Sequence, residues 1–232
     1  RRNFKQPLRT FLGIQPSHGK TAEMTVVRLL GVLHAVVQDM QQGDRGDNPA
    51  LTALSEPDYY DVVELYRRSL TYTTSLVDLG KLYRSIPTQV NSYLVDRGHR
   101  EVNFEMLYSG TSREGIGELR RIIDALQTPE GQVDGVIATS SVSHGLDIQQ
   151  LNLMLFNGMP KSIAEYIQAS SRVGRVFEGL VVMIYNPVRE RDRSHFRYHG
   201  KFHEYVDRMV APVAINRWSR FAGVRTFPGI FM

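Results

Sequence analysis

Three groups of side chains in this chain of 232 residues have types and spacings suited to chemistry. The first is a single carboxylate, Asp147, in the Ser-rich stretch "ATSSVSHGLDI", which also holds Gly145 and lies between two apolar runs. Small hydroxyl residues, backbone amides and one acid at the rim of a buried strand offer contacts to a ligand. They would equally suit a tight connection in which Asp147 only caps a turn. The second group is Gln168, Arg172 and Arg175, at i, i+4 and i+7, which on a helix would share one face and point together at an anion. Guanidinium groups keep their charge and present a fixed fork of donors, so arginines at this spacing beside Gly174 suit phosphate, with a surface salt-bridge face as the alternative. Nearby acids are few, only Glu165 and Glu178. The third group, His195, His199 and His203 at i, i+4 and i+8, could line a metal site. Their aromatic neighbours Phe196, Tyr198, Phe202 and Tyr205 favour packing instead, with partner or nucleic-acid contact as a further option.

The elements that must position these groups are legible from periodicity. Val26, Val27, Leu30, Leu33, Val37 and Met40 recur at helical spacing over 22–41, and the breaker run "GDRGDNP" follows. Its Arg45-Gly46-Asp47 triplet reads as a plain turn. Ser55 with Asp58 caps a short helix running to Arg68. From Ser69 strands alternate with helices: "SLTYTTS", "VNFEMLYS", "VDGVIATS", "LNLMLFNG" and "LVVMIYNP" read as strands. Ser75 with Asp78, Thr111 with Glu114, and Ser162 with Glu165 read as helix starts, and Pro87 kinks or ends the helix that Ser75 opens. Apolar runs without alternation mean that both faces of the sheet are covered. The expected fold is therefore α/β, a parallel sheet in three layers between helices. Ligands of such sheets gather beyond the carboxyl ends of the strands.

Composition narrows the class. Hydrophobic residues make up 42% of the chain, enough for one full core. Without cysteine there are no disulfides or thiolate metal sites, and a reducing cytoplasm is the expected compartment. No apolar window approaches the ~20 residues of a membrane span, and no signal-peptide pattern opens the chain. The first residue is Arg rather than Met, which suggests a piece of something longer. The formal charge is +4, and residues 189–225 concentrate nine Lys/Arg against four Asp/Glu, which suits a polyanionic partner or a solvated surface equally well.

With those residues placed, a family resemblance follows. "ATSSVSHGLDI" followed by "YIQASSRVGR" resembles motifs V and VI of superfamily 2 helicases and translocases. "LTYTTSLVDLGKL" resembles motif IV, and "MLYSGTSREG" resembles the nucleic-acid-contacting segment between motifs IV and V. The resemblance covers Ser69 to Pro187, the second RecA-like domain of such a motor. It implies that Gly145, Asp147 and Gln168 face ATP, that Arg172 and Arg175 act on its γ-phosphate, and that Arg175 is the arginine finger. It also implies that Ser75, Ser109, Gly110, Thr111 and Thr139 hold the nucleic-acid backbone. The motif VI pattern departs from the family at Ala169 and Ser171, and Ser109 stands where some relatives have Arg. Less specifically, the tail resembles that of long bacterial phage-defence helicases of the DISARM type.

"GIQPSHGKT" falls short of a phosphate-binding P-loop. It has five residues between its glycines rather than four, and no clear buried strand precedes it. No apolar strand ends in a pair of acids, so the carboxylates that hold Mg²⁺ are missing as well. The organisation expected is a helical lead-in at 1–68, a RecA-like domain at 69–188 and a basic aromatic extension at 189–232. ATP and Mg²⁺ would be held mainly by a P-loop domain of the parent protein, with nucleic acid, DNA rather than RNA, as the other partner and no membrane. The rival readings are a non-catalytic RecA-like binding module and a stand-alone nucleotide-binding protein. The latter would need a glycine-rich phosphate loop after "SLTYTTS", which "TTSLVDLG" does not supply.

Overall fold

The structure, a computed structural model, describes residues 9–108, 115–128, 132–140, 151–175 and 177–211. Six strands, β1 (Arg9–Ile14), β2 (Ser69–Thr73), β3 (Phe104–Leu107), β4 (Gly135–Ala138), β5 (Leu153–Asn157) and β6 (Gly179–Ile184), form one sheet in the order β1-β6-β5-β2-β4-β3. Every pairing is parallel. β2, β4 and β5 are buried at every position, the consequence of cover on both faces. The five strands read from the sequence are present, and β1 is an addition. It pairs with β6 alone and alternates half-buried with exposed positions in its first four residues, so no continuous apolar run announces it. The stretch "GIQPSHGKT" is therefore preceded by a strand after all. Its glycines have structural reasons: a Cβ on Gly13 would come within 2.7 Å of the His199 ring, and Gly19 adopts φ +77°.

Helices α1 (Ala22–Gln41), α4 (Leu76–Ser85) and α5 (Asn91–Val95) cover one face, where Val26, Leu30, Leu82 and Leu94 meet Ile137, Leu155 and Ile184 of the sheet. Between them α2 (Pro49–Thr52) and α3 (Glu56–Tyr66) continue the chain, and α3 buries Tyr59 and Val63 against Val37 of α1. Pro87 does bend its helix: it sits in a single π-helical turn, Ile86–Val90, that joins α4 to α5. The second face is covered by α6 (Gly115–Gln127), α7 (Ile163–Ser170) and α9 (His199–Tyr205), through Ile122, Leu126, Tyr166, Ala169 and Phe202. The basic extension begins as α8 (Glu190–Arg197), breaks at Tyr198 and continues as α9.

At the amino ends of β2 and β4 the fold buries charge and pairs most of it. Asp134 accepts two bonds from the Arg100 guanidinium and one from the Asn103 amide. Arg68, 1% exposed, donates to Glu64 and to the Thr128 carbonyl. His34 meets the Ser69 hydroxyl at 3.0 Å, and burial holds it neutral by lowering its pKa to about 4.

Candidate nucleotide and nucleic-acid interface

Two regions on opposite edges of the sheet hold the residues singled out in the sequence. At the carboxyl edge β2 and β4 end side by side and open a cleft of about 220 Å³, lined by Tyr72, Thr74, Ser75, Thr139, Lys161 and Glu165 among others. Ser75 is the N-cap of α4, its hydroxyl accepting the Asp78 amide at 3.1 Å. The start of that helix therefore faces the cleft with polarised amides. Thr139 is held by its own amide, which donates to Leu107 at 3.1 Å. The Tyr72 hydroxyl donates to Glu165, and burial together with that carboxylate raises the tyrosine pKa. The phenol thus stays protonated and fixes the acid in place. Arg189 closes the rim, donating to the Thr74 hydroxyl at 3.2 Å and standing 3.9 Å from Asp78.

The motif VI residues lie elsewhere. α7 runs from the carboxyl edge back toward the amino edge and ends at Ser170, so Gln168, Arg172 and Arg175 do not share one helical face as their spacing suggests. The hydroxyls of Ser170 and Ser171 turn back on the carbonyls of Ile167 and Gln168 where the helix ends, and Gly174, three residues past the C-cap, takes φ +65° and turns the chain again. Gln168 is exposed in the last turn, and Arg172 and Arg175 follow in the turn beyond it. That turn is fixed on two sides. The Gly174 amide donates to Leu151 at 3.2 Å, and a Cβ on Gly179 would come within 2.8 Å of the Gly174 backbone. Arg175 donates from Nε to the Ser171 carbonyl at 3.3 Å.

One residue beside this turn was invisible in the sequence. Arg9, first in β1, donates to the Val173 carbonyl at 2.8 Å. Burial first, and then the neighbouring Arg175, lower its pKa. Two guanidinium groups repelling each other in a half-buried turn suit the phosphate end of a nucleotide, so these residues fit that part of ATP. They offer no donor set for its metal: among the described residues no group of three or more His, Cys, Asp or Glu side chains is arranged to hold one. Nothing in the sequence marks Arg9, because its position follows only from the pairing of β1 with β6. Lys161 was also missed, although a cation just beyond a buried strand was a usable signal. Gly145 and Asp147, and Ser109, Gly110 and Thr111, lie outside the described residues.

The extension is fastened by its histidines. His203 Nδ1 lies 2.8 Å from the His199 carbonyl and must donate to it, which leaves Nε2 to accept the Tyr166 hydroxyl at 2.7 Å. By the same reasoning His199 donates from Nε2 to the Phe11 carbonyl and accepts the Tyr185 hydroxyl on Nδ1. Burial lowers the pKa of His203 to about 4, in keeping with a neutral ring. His195 packs on Phe202 at 4.6 Å between ring centres. The histidine face thus ties α9 to β1, to the end of β6 and to the helix that carries motif VI.

Residues 82–177 match the helicase conserved C-terminal domain. Among particular relatives, the DISARM protein DrmA of Bacillus paralicheniformis is 28% identical over 227 residues, covering 93% of this chain and 19% of its own length. The uncharacterized ATP-dependent helicase YprA of Bacillus subtilis is 38% identical over 58 residues, 25% of this chain and 8% of its own. The crystal structure of the DUF1998 helicase MrfA bound to DNA and AMPPNP has a TM-score of 0.59 at 19% identity, covering 84% of this chain and 23% of that one. The yeast DEAD-box splicing factor Prp28 has a TM-score of 0.54 at 14% identity, covering 92% and 37%. These likenesses show the RecA-like fold. The chain spans about a fifth of the length of DrmA. Among the described residues no helix is long and apolar enough to cross a membrane.

Proposed function

We propose that the chain is the second motor domain of an ATP-dependent helicase or translocase, working in the cytoplasm on nucleic acid, with DNA favoured over RNA. The observation that carries this reading is the arrangement of two kinds of side chain on opposite edges of one sheet. Hydroxyls and a helix start gather at the carboxyl edge, and clustered guanidinium groups gather at the amino edge. Residues 141–150, which include Gly145 and Asp147, connect residue 140 at one edge to residue 151 at the other. They are therefore the segment of chain through which the two ligands would be coupled.

Bound ATP would supply the free energy of its γ-phosphoryl transfer. Arg175 is the finger that meets negative charge developing on that group, with Arg172 beside it and Gln168 orienting the phosphate. Arg9 is a positioning residue, because its bond to the Val173 carbonyl holds the turn from which Arg175 projects. Ser75 and Thr139 contact the sugar-phosphate backbone through hydroxyls and helix-start amides, contacts that carry no sequence information. The P-loop and the carboxylates that bind Mg²⁺ come from another part of the parent protein. The likeness to DrmA supports a role in defence of the DISARM type.

The test compares two purified proteins. The 232-residue chain alone should show no ATP turnover stimulated by nucleic acid, and the full-length protein should show it. Contaminant-free turnover by the chain alone would overturn the half-motor reading. Tight nucleic-acid binding by a full-length protein that hydrolyses no ATP would instead favour the non-catalytic module.

A further inference from the structure

The arginines of the extension fall into two sets that the sequence does not distinguish. Arg189 is engaged with Thr74 and Asp78, and Arg191 donates to the carbonyls of Lys161 and Met159. These two fasten α8 to the sheet, while Asp192, buried beneath it, accepts the amides of Asn186 and Met159. Arg193 and Arg197 do nothing of the kind. Both are exposed, and among the described residues neither side chain makes a hydrogen bond or an ion pair, although Glu190 lies one turn from Arg193. With Glu190, Ser194 and Tyr198 they line a surface groove of about 380 Å³. Tyr198, at the break between α8 and α9, is 58% exposed.

Arg189, Arg193 and Arg197 follow at i, i+4 and i+8, and the Arg193 amide donates to the Arg189 carbonyl at 3.0 Å, so the three form a ladder up one helix face. At 1.5 Å per residue that ladder is about 12 Å long. Its lowest rung touches Thr74, which lines the carboxyl-edge cleft. Arg189, bonded to Thr74 of the cleft and next in sequence to Glu190 of the groove, stands between the two. We infer that the α8 groove is a second nucleic-acid subsite, which receives a single strand leaving the cleft, pairs its phosphates with Arg193 and Arg197, and stacks a base on Tyr198.

A single strand is favoured over a duplex because the groove is one helix face wide and ends in an exposed aromatic ring, the combination of cationic track and stacking platform that unpaired bases use. The adjoining face of α8 explains why the ladder can keep its shape. Asp192 is buried, His195 packs on Phe202, and the partly exposed Phe196 packs on Tyr185 at 5.8 Å, so ordering a strand would not first require ordering the helix.

The inference rests on the nucleic-acid reading of the cleft, and the experiment separates the two. In the full-length protein, fluorescence anisotropy measures binding of labelled oligo-dT of about two nucleotides, too short to extend from the cleft along the groove, and of about twenty, which does. The double variant Arg193→Ala/Arg197→Ala should leave the short oligomer unchanged. It should weaken the long one at least tenfold and reduce its log affinity–log salt slope by about 1.4, or ~0.7 per phosphate released. Arg193→Lys/Arg197→Lys should restore most of the slope. Tyr198→Ala should weaken the long oligomer about tenfold with the slope intact, and Tyr198→Phe should not. Oligo-rU in place of oligo-dT shows which backbone is preferred, and the subsite stands with either. An unchanged affinity and slope for the long oligomer in the double variant overturns the subsite while leaving the cleft. Loss confined to an acidic peptide competitor or to duplex overturns it as well. If neither oligomer binds the wild type at low salt, the cleft reading itself falls.

Discussion

The two edges of the sheet are built on different principles. At the carboxyl edge Ser75, Thr139, Lys161 and Arg189 surround an open cleft, and few of their contacts are needed to hold the core. At the amino edge Asp134, Arg68, Arg9 and the Gly174–Gly179 contact are all part of the packing, and the proposed finger Arg175 is set into that packing by the Ser171 carbonyl. The difference teaches where function can be altered cheaply. Substitution in the cleft should change binding and, except at the helix cap Ser75, little else, whereas substitution at the amino edge should touch chemistry, folding or both.

The largest expected effect sharpens the contrast most. Arg175→Ala in the full-length protein should cut ATP turnover by ~10³ or more, and nucleotide-free affinity for nucleic acid should stay near wild type. Arg175→Lys should rescue little, because an ammonium lacks the planar fork. Steady-state ATPase and anisotropy on the same preparations check this. If binding and turnover fell together, the two edges would not be separate sites.

The second test is of folding at the amino edge. Asp134→Ala removes a buried carboxylate that accepts three bonds and leaves the Asn103 amide without its partner, so urea denaturation should show a loss of about 3 kcal/mol. A loss of comparable size is expected from acid. Burial lowers both His34 and His203 from an ordinary 6.5 to about 4. Between those values the unfolded chain binds more protons than the folded one, so stability is full above about pH 6.5 and declines as pH falls toward 4. For His34, which is buried in the core, the loss is on the order of 3 kcal/mol. Denaturation midpoints at neutral pH and at about pH 4.5, with His203→Phe to remove one contribution, measure it. A flat profile would mean that neither ring is held neutral.

The smallest effects belong to the cleft. Thr139→Val should weaken nucleic-acid binding by about 1 kcal/mol, the worth of one hydrogen bond, with no change in basal ATP turnover. Ser75→Ala should do the same and also cost about 1 kcal/mol of stability, since it removes an N-cap. A large loss of turnover without nucleic acid from Thr139→Val would erase the distinction between the edges.

Much of this was legible in the sequence, for reasons visible in particular residues. Runs such as "LMLF" of β5 are apolar throughout because both faces are covered, and Ser75, Ser55 and Ser162 accept the amides their spacing promised. The order and spacing of the motifs then carried the family. The arrangement of the candidate site was less legible. Helical periodicity places Gln168, Arg172 and Arg175 on one face, but periodicity carries no account of where a helix stops. Here it stops after Ser170, where the serine hydroxyls turn back on the last carbonyls.

What the sequence determined by itself is the set of buried strands and their capped helices, because local pattern and short-range hydrogen bonding encode those things. Only the tertiary structure decided that Arg9 bonds the turn that carries Arg175, that Arg189 meets Thr74, and that the histidines bind tyrosine hydroxyls. Each of these contacts joins elements far apart in the chain, Arg9 to Val173 across 164 residues and Arg189 to Thr74 across 115. Such contacts follow from the order in which strands pair, and the pairing of β1 with β6 is written in no local run of residues.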